Sequence, residues 1–279
     1  MASVLITGAA SGIGLATASA FVRQGDDVFA GVRVTSDLTA LKTLMDTGLP
    51  IVPVQADLDD QASLHTAVGE VVGRHGRLDV LVSNAGVGGD GRPVELIGEE
   101  AARTVLETNV LGNLRLLRAA LPAMREQRSG VVIAMSSLSG RVPRPFIGLT
   151  SASKHALEAL YETLAFEMAP FGVRVKIIEP GMFRTGVMRH THAPPDRSSP
   201  YAQWTVPHEE RIRAAIQYAP PPDLVGEAVL RAAQDRSPRL RYLVGSQAEQ
   251  VVAGRDRDGW EAWRTSVLHT NGLDRPPNG

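Results

Sequence analysis

The sequence predicts an α/β fold in which helices flank a parallel sheet of about seven strands. Two features of the chain predict this fold. Short apolar runs rich in β-branched residues alternate with longer amphipathic segments, and this alternation is typical of βαβ units. A glycine-rich stretch, Thr7–Gly14, directly follows the first apolar run and precedes a helical pattern. Together these features predict one doubly wound sheet.

The predicted strands are short, contain many β-branched residues and end at turn residues, as buried parallel strands do. We place them at Ser3–Ile6, Asp27–Val32, Ile51–Gln55, Val80–Ser83, Val131–Met135, Val173–Ile178 and Leu240–Val244. The predicted helices have leucine and alanine at three- and four-residue spacing. They cover Ile13–Arg23, Ser63–Arg74, Glu99–Arg125 and Ser153–Ala169.

The length of 279 residues suits a single domain with a tail, because α/β domains often reach this size. We assign residues 1–245 to the domain and residues 246–279 to a C-terminal extension with one more helix. Residues from about 186 to 222 are rich in Pro, His, Ser and aromatic residues. A long irregular stretch inside a compact domain is often functional, so we expect a lid here.

Four aromatic residues belong to this expected lid or lie near the expected site: Phe146, Phe183, Tyr201 and Trp204. Large aromatic side chains around a pocket favour a bulky apolar substrate. The alternative is that these side chains simply seal the lid.

The composition excludes several classes of partner. A net charge of −1, with 43% hydrophobic and 21% charged residues, gives no overall attraction to nucleic acids or anionic lipids. No apolar run approaches the roughly 20 residues of a membrane helix, and the first residues lack a signal-peptide pattern, so we expect a cytoplasmic protein. The absence of cysteine excludes disulfides and thiolate ligands, and we expect no metal site.

The stretch Thr7-Gly8-Ala9-Ala10-Ser11-Gly12-Ile13-Gly14 joins the first strand to the first helix. Such a turn directs backbone N–H groups and the positive end of the helix dipole at one place, where a pyrophosphate can bind. Glycine lets the backbone approach that ligand closely. The spacing therefore predicts a dinucleotide site, with a tight turn that binds no ligand as the alternative.

Five more segments follow in order, each where a predicted strand ends or a helix begins: Asn84-Ala85-Gly86, Asn109-Val110-Leu111-Gly112, Ser136-Ser137, Ser153-Lys154 and Pro180-Gly181-Met182-Phe183-Arg184-Thr185. With the glycine-rich turn, they make residues 3–185 resemble the classical short-chain dehydrogenase/reductase family. The resemblance implies a Rossmann-type domain, a nicotinamide cofactor, a small-molecule substrate, and a homodimer or homotetramer. Open α/β sheets bind ligands at the carboxyl ends of their strands, which is where these segments lie.

The resemblance also implies which residues contact the cofactor. They are Gly8, Ser11, Gly12, Ile13 and Gly14 at the diphosphate, Asn84, Ala85, Gly86 and Lys154 at the riboses, and Pro180, Gly181 and Thr185 at the carboxamide. An Asx turn closing a strand is the alternative for Asn84 and Gly86. Asp57, followed by Leu58, resembles the family's adenine-contacting aspartate, although Asp57 would equally serve as a helix N-cap.

Arg33 ends the second predicted strand, in Ala30-Gly31-Val32-Arg33. NAD sites of this kind usually place an acidic residue here for the ribose 2′-hydroxyl. An arginine can instead pair with a 2′-phosphate through its planar guanidinium. We therefore expect NADP(H) rather than NAD(H), with an exposed arginine that binds no ligand as the alternative.

Reduction of a ketone by a nicotinamide needs a donor to the carbonyl oxygen and a source of a proton. The family uses Ser, Tyr and Lys with a supporting Asn, and the resemblance assigns Ser137, Lys154 and Asn109 to three of these roles. The tyrosine should stand four residues before the lysine, where this chain has Thr150. A threonine hydroxyl is shorter by a ring and too weakly acidic for the same proton transfer. Tyr161, farther along the predicted helix, falls on its apolar face and should pack in the core.

Three explanations of Thr150 stay open. The proton could come from water, from Lys154, or from a lid residue such as Tyr201, His190 or His192. The chain could instead have abandoned redox chemistry for elimination, isomerisation or cyclisation, or for binding without turnover. Thr150 could also be an engineered change. We therefore expect an oxidoreductase with an atypical catalytic site that acts on an alcohol or ketone, and we keep a non-redox enzyme and a cofactor-binding module as alternatives.

Overall fold

The computed structural model describes residues 1–33, 38–89, 91–185 and 196–276. It contains seven parallel strands: β1 Ser3–Thr7, β2 Asp27–Val32, β3 Ile51–Gln55, β4 Val80–Ser83, β5 Gly130–Met135, β6 Val173–Pro180 and β7 Arg241–Val244. They form one sheet in the order β3-β2-β1-β4-β5-β6-β7. The direction of strand addition reverses between β1 and β4, as in a doubly wound sheet. The predicted fold class is confirmed.

Both faces of the sheet are buried, which explains why its strands are almost continuously apolar. In β1, Val4 and Ile6 belong to one core and Leu5 to the other. The register pairs Leu5 with Phe29 of β2 and with Leu81 of β4. Since successive side chains of a strand alternate between its faces, each strand contributes to two cores.

Within the described ranges the chain forms nine α-helices: α1 Gly12–Arg23, α2 Thr39–Met45, α3 Gln61–His75, α4 Glu99–Leu106, α5 Gly112–Glu126, α6 Gly148–Met168, α7 Ala202–Gln217, α8 Asp223–Gln234 and α9 Ser246–Asn271. The four predicted helices are present, and α9 corresponds to the helix expected in the tail. The sequence patterns do not predict α2, α7 or α8.

The expected irregular structure of residues 186–222 is wrong for the part that forms α7, whereas the role of this stretch as a lid stays a prediction. The prolines of this stretch favour a loop, yet Pro207 lies inside the helix. Tertiary contacts offset the lost backbone hydrogen bond: Trp204 Nε1 donates to the Gly272 carbonyl at 2.8 Å, and His208 Nδ1 bonds Asn271 at 3.1 Å. Residues 186–195, which include His190 and His192, lie outside the described residues.

The predicted helix Glu99–Arg125 contains a π-helical turn, Glu107–Leu111, between α4 and α5. This turn carries Asn109, which is 1% exposed, and its carbonyl accepts a hydrogen bond from Asn113 Nδ2 at 2.8 Å. Single π turns inside α-helices occur often at functional sites. The wider turn therefore places a polar amide in the buried layer between helix and sheet.

Helix α9 begins directly after β7 and kinks at Gly259, where φ is 72°. Its first turns contact the rest of the fold, because Ala248 and Val252 are buried in a cluster with Leu138 and Val142. The domain boundary at residue 245 stays a prediction. Among the described helices, none combines the length and the apolar character that crossing a membrane requires.

Gly226 allows α8 to approach α1. A Cβ atom at this residue would lie 2.6 Å from the Ala16 carbonyl oxygen, which is well inside van der Waals contact. We expect Gly226→Ala to lower the free energy of unfolding by about 1–3 kcal/mol, because overpacking forces the helices apart. Urea denaturation measures the change.

Gly73→Ala in α3 is the matched control, because nothing lies within 4 Å of its Cβ position. This substitution should raise the free energy of unfolding by about 0.5–1 kcal/mol through helix propensity. Equal effects of the two substitutions would contradict the close packing at Gly226.

Candidate active site

The turn between β1 and α1 depends on glycine at three positions. Gly8 and Gly12 have φ of +67° and +55°, a conformation that residues with a side chain rarely adopt. At Gly14, a Cβ atom would lie 2.1 Å from the Gly8 carbonyl oxygen. The turn therefore requires glycine at residues that the sequence assigns to phosphate binding.

The first turn of α1 lacks a side-chain cap. Ser11 is the N-cap residue, yet its side chain makes no capping hydrogen bond, and the first turn has no acidic residue. At the start of α3, by contrast, the carboxylate of Asp60 accepts hydrogen bonds from two backbone amides. The amides of Gly12–Gly14 thus have no side-chain acceptor in the described structure, which suits a bound anion at the positive end of the helix dipole.

Asn84 holds this turn against the end of β4. Its Nδ2 donates to the carbonyl oxygens of Thr7 and Gly8 at 2.9 and 3.3 Å. The Thr7 hydroxyl accepts hydrogen bonds from the amides of Asn84 and Ala85, both at 3.1 Å. The Asn84 side chain therefore bonds a neighbouring strand rather than its own backbone, so the alternative of an Asx turn is wrong.

Gly86, Asn109 and Lys154 converge beyond the ends of the central strands. A Cβ atom at Gly86 would lie 3.0 Å from Asn109 Oδ1 and 3.9 Å from Lys154 Nζ. Asn109 accepts a hydrogen bond from the Val87 amide and donates one to the Val87 carbonyl, both at 2.8 Å. Lys154 Nζ donates to the Met135 carbonyl at 2.7 Å. Three segments that are distant in sequence therefore form one site.

Ser137 follows β5 and begins a short 3-10 turn, Leu138–Gly140. Its hydroxyl accepts hydrogen bonds from the amide and the hydroxyl of Ser139 at 3.2 and 2.9 Å. A serine oxygen has two lone pairs and one proton, so the Ser137 proton stays available for donation. The partly exposed hydroxyl can therefore polarise a ligand oxygen.

Thr150 lies in the first turn of α6, four residues before Lys154 and on the same side of the helix. Its hydroxyl accepts a hydrogen bond from the Gly89 amide at 2.8 Å. This bond ties the segment after β4 to α6. The Thr150 hydroxyl also has one proton to donate.

Burial lowers the pKa of Lys154 to about 8, while the charge of Glu158 opposes this shift. Glu158 belongs to a buried charge cluster that the sequence patterns do not reveal. Its carboxylate lies 2.9 Å from Arg241, which is also 3.5 Å from Glu179. Burial raises the pKa of Glu179 to about 7, and the charge of Glu158 adds to this shift. Glu158 therefore connects the Lys154 ammonium electrostatically to the Arg241–Glu179 ion pair.

The segment after β6 returns to the glycine-rich turn. The Gly181 amide donates to the Val244 carbonyl at 3.0 Å, directly after Pro180. The Cβ position of Gly12 lies 3.6 Å from Thr185 Cβ. Phe183, which lies between Gly181 and Thr185 in the sequence, is buried in the same core as Val4 and Ile6. The expectation that it is a lid aromatic is therefore wrong.

Arg33 and Asp57 follow the neighbouring strands β2 and β3, and Arg33 is exposed. Asp57 Oδ1 accepts a hydrogen bond from the Asp59 amide at 3.1 Å. Because Asp60 caps α3, the alternative of Asp57 as the helix N-cap is wrong. Leu58 is 2% exposed, so its side chain belongs to the core.

Tyr161 is enclosed in the core, whereas Tyr201 forms a hydrogen bond with Glu95. Tyr161 is fully buried, as the sequence predicts, and its hydroxyl donates to Asn113 at 2.9 Å. Burial raises the pKa of Tyr161. A hydrogen bond with Glu95 raises the pKa of Tyr201.

A cavity of about 550 Å³ lies beside this site, next to Met182. Segments 91–96 and 144–147 line it together with α7 and α9. Phe146 is one of its aromatic residues, and its ring contacts that of His208 with centroids 5.2 Å apart. Ligand pockets commonly have this volume. The sequence patterns miss the cavity because its walls come from elements that are far apart in the chain.

The titration of Lys154 can be measured directly, since the sequence has three lysines: Lys42, Lys154 and Lys176. We expect the Lys154 amine to titrate near pH 8, below the value of about 10.4 for an exposed lysine. Because the pKa is lower in the folded state, the ammonium costs stability below pH 8, and this cost disappears as the pH rises toward about 10.4.

NMR of ¹³C-labelled lysine follows this titration. The variant Lys154→Met assigns the signal by its loss, and the signal of Lys42 serves as the internal control. A Lys154 signal that titrates together with that of Lys42 would contradict the burial of its ammonium.

Comparisons with known proteins identify the family of the chain. Residues 2–196 match the family model described as short chain dehydrogenase. The chain is 37% identical over 259 residues to 17-beta-hydroxysteroid dehydrogenase type 1 from Homo sapiens, which covers 86% of this chain and 76% of that protein.

Two solved structures share the fold. A short-chain dehydrogenase from Streptomyces avermitilis has a TM-score of 0.81 at 32% identity, covering 100% of this chain and 99% of that one. A short chain dehydrogenase from Burkholderia cenocepacia, in complex with NADP, has a TM-score of 0.72 at 27% identity, with 98% and 97% covered. The chain therefore belongs to the short chain dehydrogenase family of oxidoreductases.

Proposed function

We propose that the protein is an NADP(H)-dependent oxidoreductase that acts on an alcohol or ketone group of a bulky apolar substrate, and that its catalytic site is atypical. The convergence of Gly86, Asn109 and Lys154 at the sheet edge is the observation that carries the proposal. It puts an amine with a pKa of about 8 beside the position where the family's nicotinamide ribose would lie.

The residues present fit a nicotinamide dinucleotide. The uncapped amides of Gly12–Gly14 suit its diphosphate, and Thr185, which the family resemblance assigns to the carboxamide, lies beside the same turn at Gly12. The exposed position of Arg33 after β2 suits a 2′-phosphate. The Burkholderia cenocepacia protein was solved with NADP and a similar protein from Burkholderia phymatum with NAD, so the preference for NADP(H) in this proposal rests on Arg33.

In this proposal, Ser137 and Lys154 do most of the chemical work. When bound, the nicotinamide supplies or accepts a hydride at the substrate carbon. The Ser137 hydroxyl, which already accepts two hydrogen bonds, donates its proton in a hydrogen bond to the substrate oxygen. Lys154 binds the ribose hydroxyls and, in reduction, gives a proton from Nζ to that oxygen, directly or through water.

Thr150 takes the place of the family's tyrosine in this proposal. Because its hydroxyl accepts from the Gly89 amide, its remaining proton can form a hydrogen bond to the substrate oxygen. A hydroxyl of this kind stabilises a developing charge but does not replace a general acid. The expected consequence is slow redox turnover.

Thr150 also favours a second candidate, a non-redox enzyme on the same scaffold. Ser137 and Lys154 would then polarise a substrate oxygen for elimination, isomerisation or cyclisation. Mass spectrometry that finds substrate conversion while NADPH absorbance stays constant would favour this candidate. NADPH binding without any conversion would favour a cofactor-binding module.

The substrate class and the oligomeric state are also part of the proposal. The cavity beside Met182 and the steroid named in the human relative support a bulky apolar substrate. Leu106, Leu111 and Phe166 expose apolar side chains on or beside α4 and α6, which supports an interface in a homodimer or homotetramer. A cytoplasmic location stays a prediction.

The variant Thr150→Tyr tests the catalytic assignment. We expect it to raise the rate of NADPH oxidation by about 10²–10⁴-fold, the usual contribution of a positioned general acid. Absorbance at 340 nm with steroid, aryl and long-chain alkyl ketones measures the rate. Thr150→Val, which keeps the shape and lacks the hydroxyl, should stay at or below the original rate. If Thr150→Tyr binds NADPH and gains no rate, Thr150 does not occupy the position of the acid.

The variant Arg33→Ala tests the cofactor preference. We expect NADPH to bind at least about tenfold more weakly and NADH to bind as before, because a charge-assisted pair to the 2′-phosphate is lost. Calorimetry measures both affinities. Arg23→Ala, at the opposite end of α1 from the glycine-rich turn, should change neither. A parallel loss for both cofactors would refute a role for Arg33 in the choice between them.

A further inference from the structure

The cavity beside Met182 is mostly apolar in its lining. Its walls include Leu96, Phe146, Ile147, Met182, Ile212 and Trp263. A lining of this kind holds an apolar body by excluding water from it. Specificity in such pockets comes from the few polar groups that face the ligand, so the charged residues of the wall decide which ligand fits.

Most charged groups of the wall already have partners. Glu209 accepts a hydrogen bond from Arg213 at 2.8 Å, and Asp196 accepts one from Ser198 at 2.6 Å. Arg211 donates to Asn271 at 3.4 Å. Arg92 interacts electrostatically with Asp196. The charges of Glu209 and Asp196 are therefore offset by nearby arginines, while Arg211 is exposed and bonds a neutral side chain.

Arg144 differs from them. It lines the cavity, it is partly buried, and within the described ranges no hydrogen bond or ion pair involves its guanidinium. Burial lowers the pKa of Arg144, and no carboxylate opposes that shift. A partly buried charge without a partner costs free energy, so the position of Arg144 in the wall of a pocket suits a ligand of opposite charge.

The backbone around Arg144 is rigid. Pro143 and Pro145 flank it, which restricts the backbone on both sides. Phe146 has φ of +65°, a strained conformation for a bulky residue, and its ring packs on His208. The segment therefore restricts the backbone from which the Arg144 side chain reaches the cavity, which lowers part of the entropic cost of binding.

We infer that this cavity binds a ligand with an apolar body and one carboxylate, which pairs with the guanidinium of Arg144. Arginine suits a carboxylate because its planar donors match both oxygens. The inference rests on the proposed function in one respect, since it takes the cavity as the substrate side of the site. It makes the substrate an apolar acid that carries the reacting alcohol or ketone elsewhere.

Calorimetry with two ligands of the same shape tests the inference. Biphenyl-4-carboxylate should bind the protein at least about tenfold more tightly than the neutral biphenyl-4-carboxamide, because a buried charge pair is involved. Arg144→Gln should remove this preference, and Arg144→Lys should keep part of it. Arg211→Gln is the matched control on the same wall and should keep the preference in full.

Equal affinities of the unmodified protein for acid and amide would overturn the inference, as would an undiminished preference in Arg144→Gln. NADPH titrations of the same samples separate it from the proposed function. A protein that prefers the acid and binds no NADPH contradicts the proposed function alone. A protein that binds NADPH and does not distinguish acid from amide contradicts this inference alone.

The stability of the ligand-free protein gives an independent readout. Since the guanidinium of Arg144 is desolvated without a partner, Arg144→Gln should unfold at the same temperature as the unmodified protein or at a higher one. A clearly lower unfolding temperature would mean that Arg144 has a stabilising partner inside the protein, and the inference would fail.

Discussion

Two side chains join the ends of β1 and β4, and the arrangement of the site depends on them. The Asn84 side-chain amide donates to the carbonyl groups of Thr7 and Gly8. The Thr7 hydroxyl accepts hydrogen bonds from the backbone amides of Asn84 and Ala85, which follow β4. These hydrogen bonds give the carbonyl groups of Thr7 and Gly8 partners within the protein. The amides at the start of α1 are thereby left to a ligand, and Ala85 and Gly86 are fixed beside them. The crevice at the carboxyl ends of β1 and β4, where the direction of strand addition reverses, is thus formed before any ligand binds.

The same edge brings Asn109 and Lys154 together through main-chain contacts. Asn109 is fixed by Val87, and Lys154 by the carbonyl at the end of β5. These bonds leave the ammonium buried, which accounts for its lowered pKa. In a site with a tyrosine, that ammonium would chiefly tune a phenol. With Thr150 in this helix turn, the proposed function assigns proton transfer to the ammonium itself.

Strand positions follow from the sequence because buried parallel strands leave an unambiguous apolar pattern, as in Val80–Ser83. Site segments such as Asn84–Gly86 follow because they stand directly after those strands. Helix α7 cannot be predicted from the sequence in this way, because Pro207 and its neighbours have the sequence of a loop. The helix depends on contacts with the end of α9, which is distant in the chain. The lack of a partner for the Arg144 guanidinium depends on how segments that are distant in the chain meet at the cavity. The burial of Phe183 depends on Gly245, where a side chain would approach the Phe183 ring. Local patterns contain neither fact.

If a nicotinamide dinucleotide binds as proposed, the amides at the start of α1 receive its diphosphate. Titration of ¹⁵N-labelled protein with NADPH, followed through the amide signals of Ser11, Gly12, Ile13 and Gly14, tests this contact. We expect saturable shifts of these four signals, and inorganic pyrophosphate should move the same signals less. Unchanged signals at saturating NADPH, or shifts confined to other parts of the chain, would contradict it.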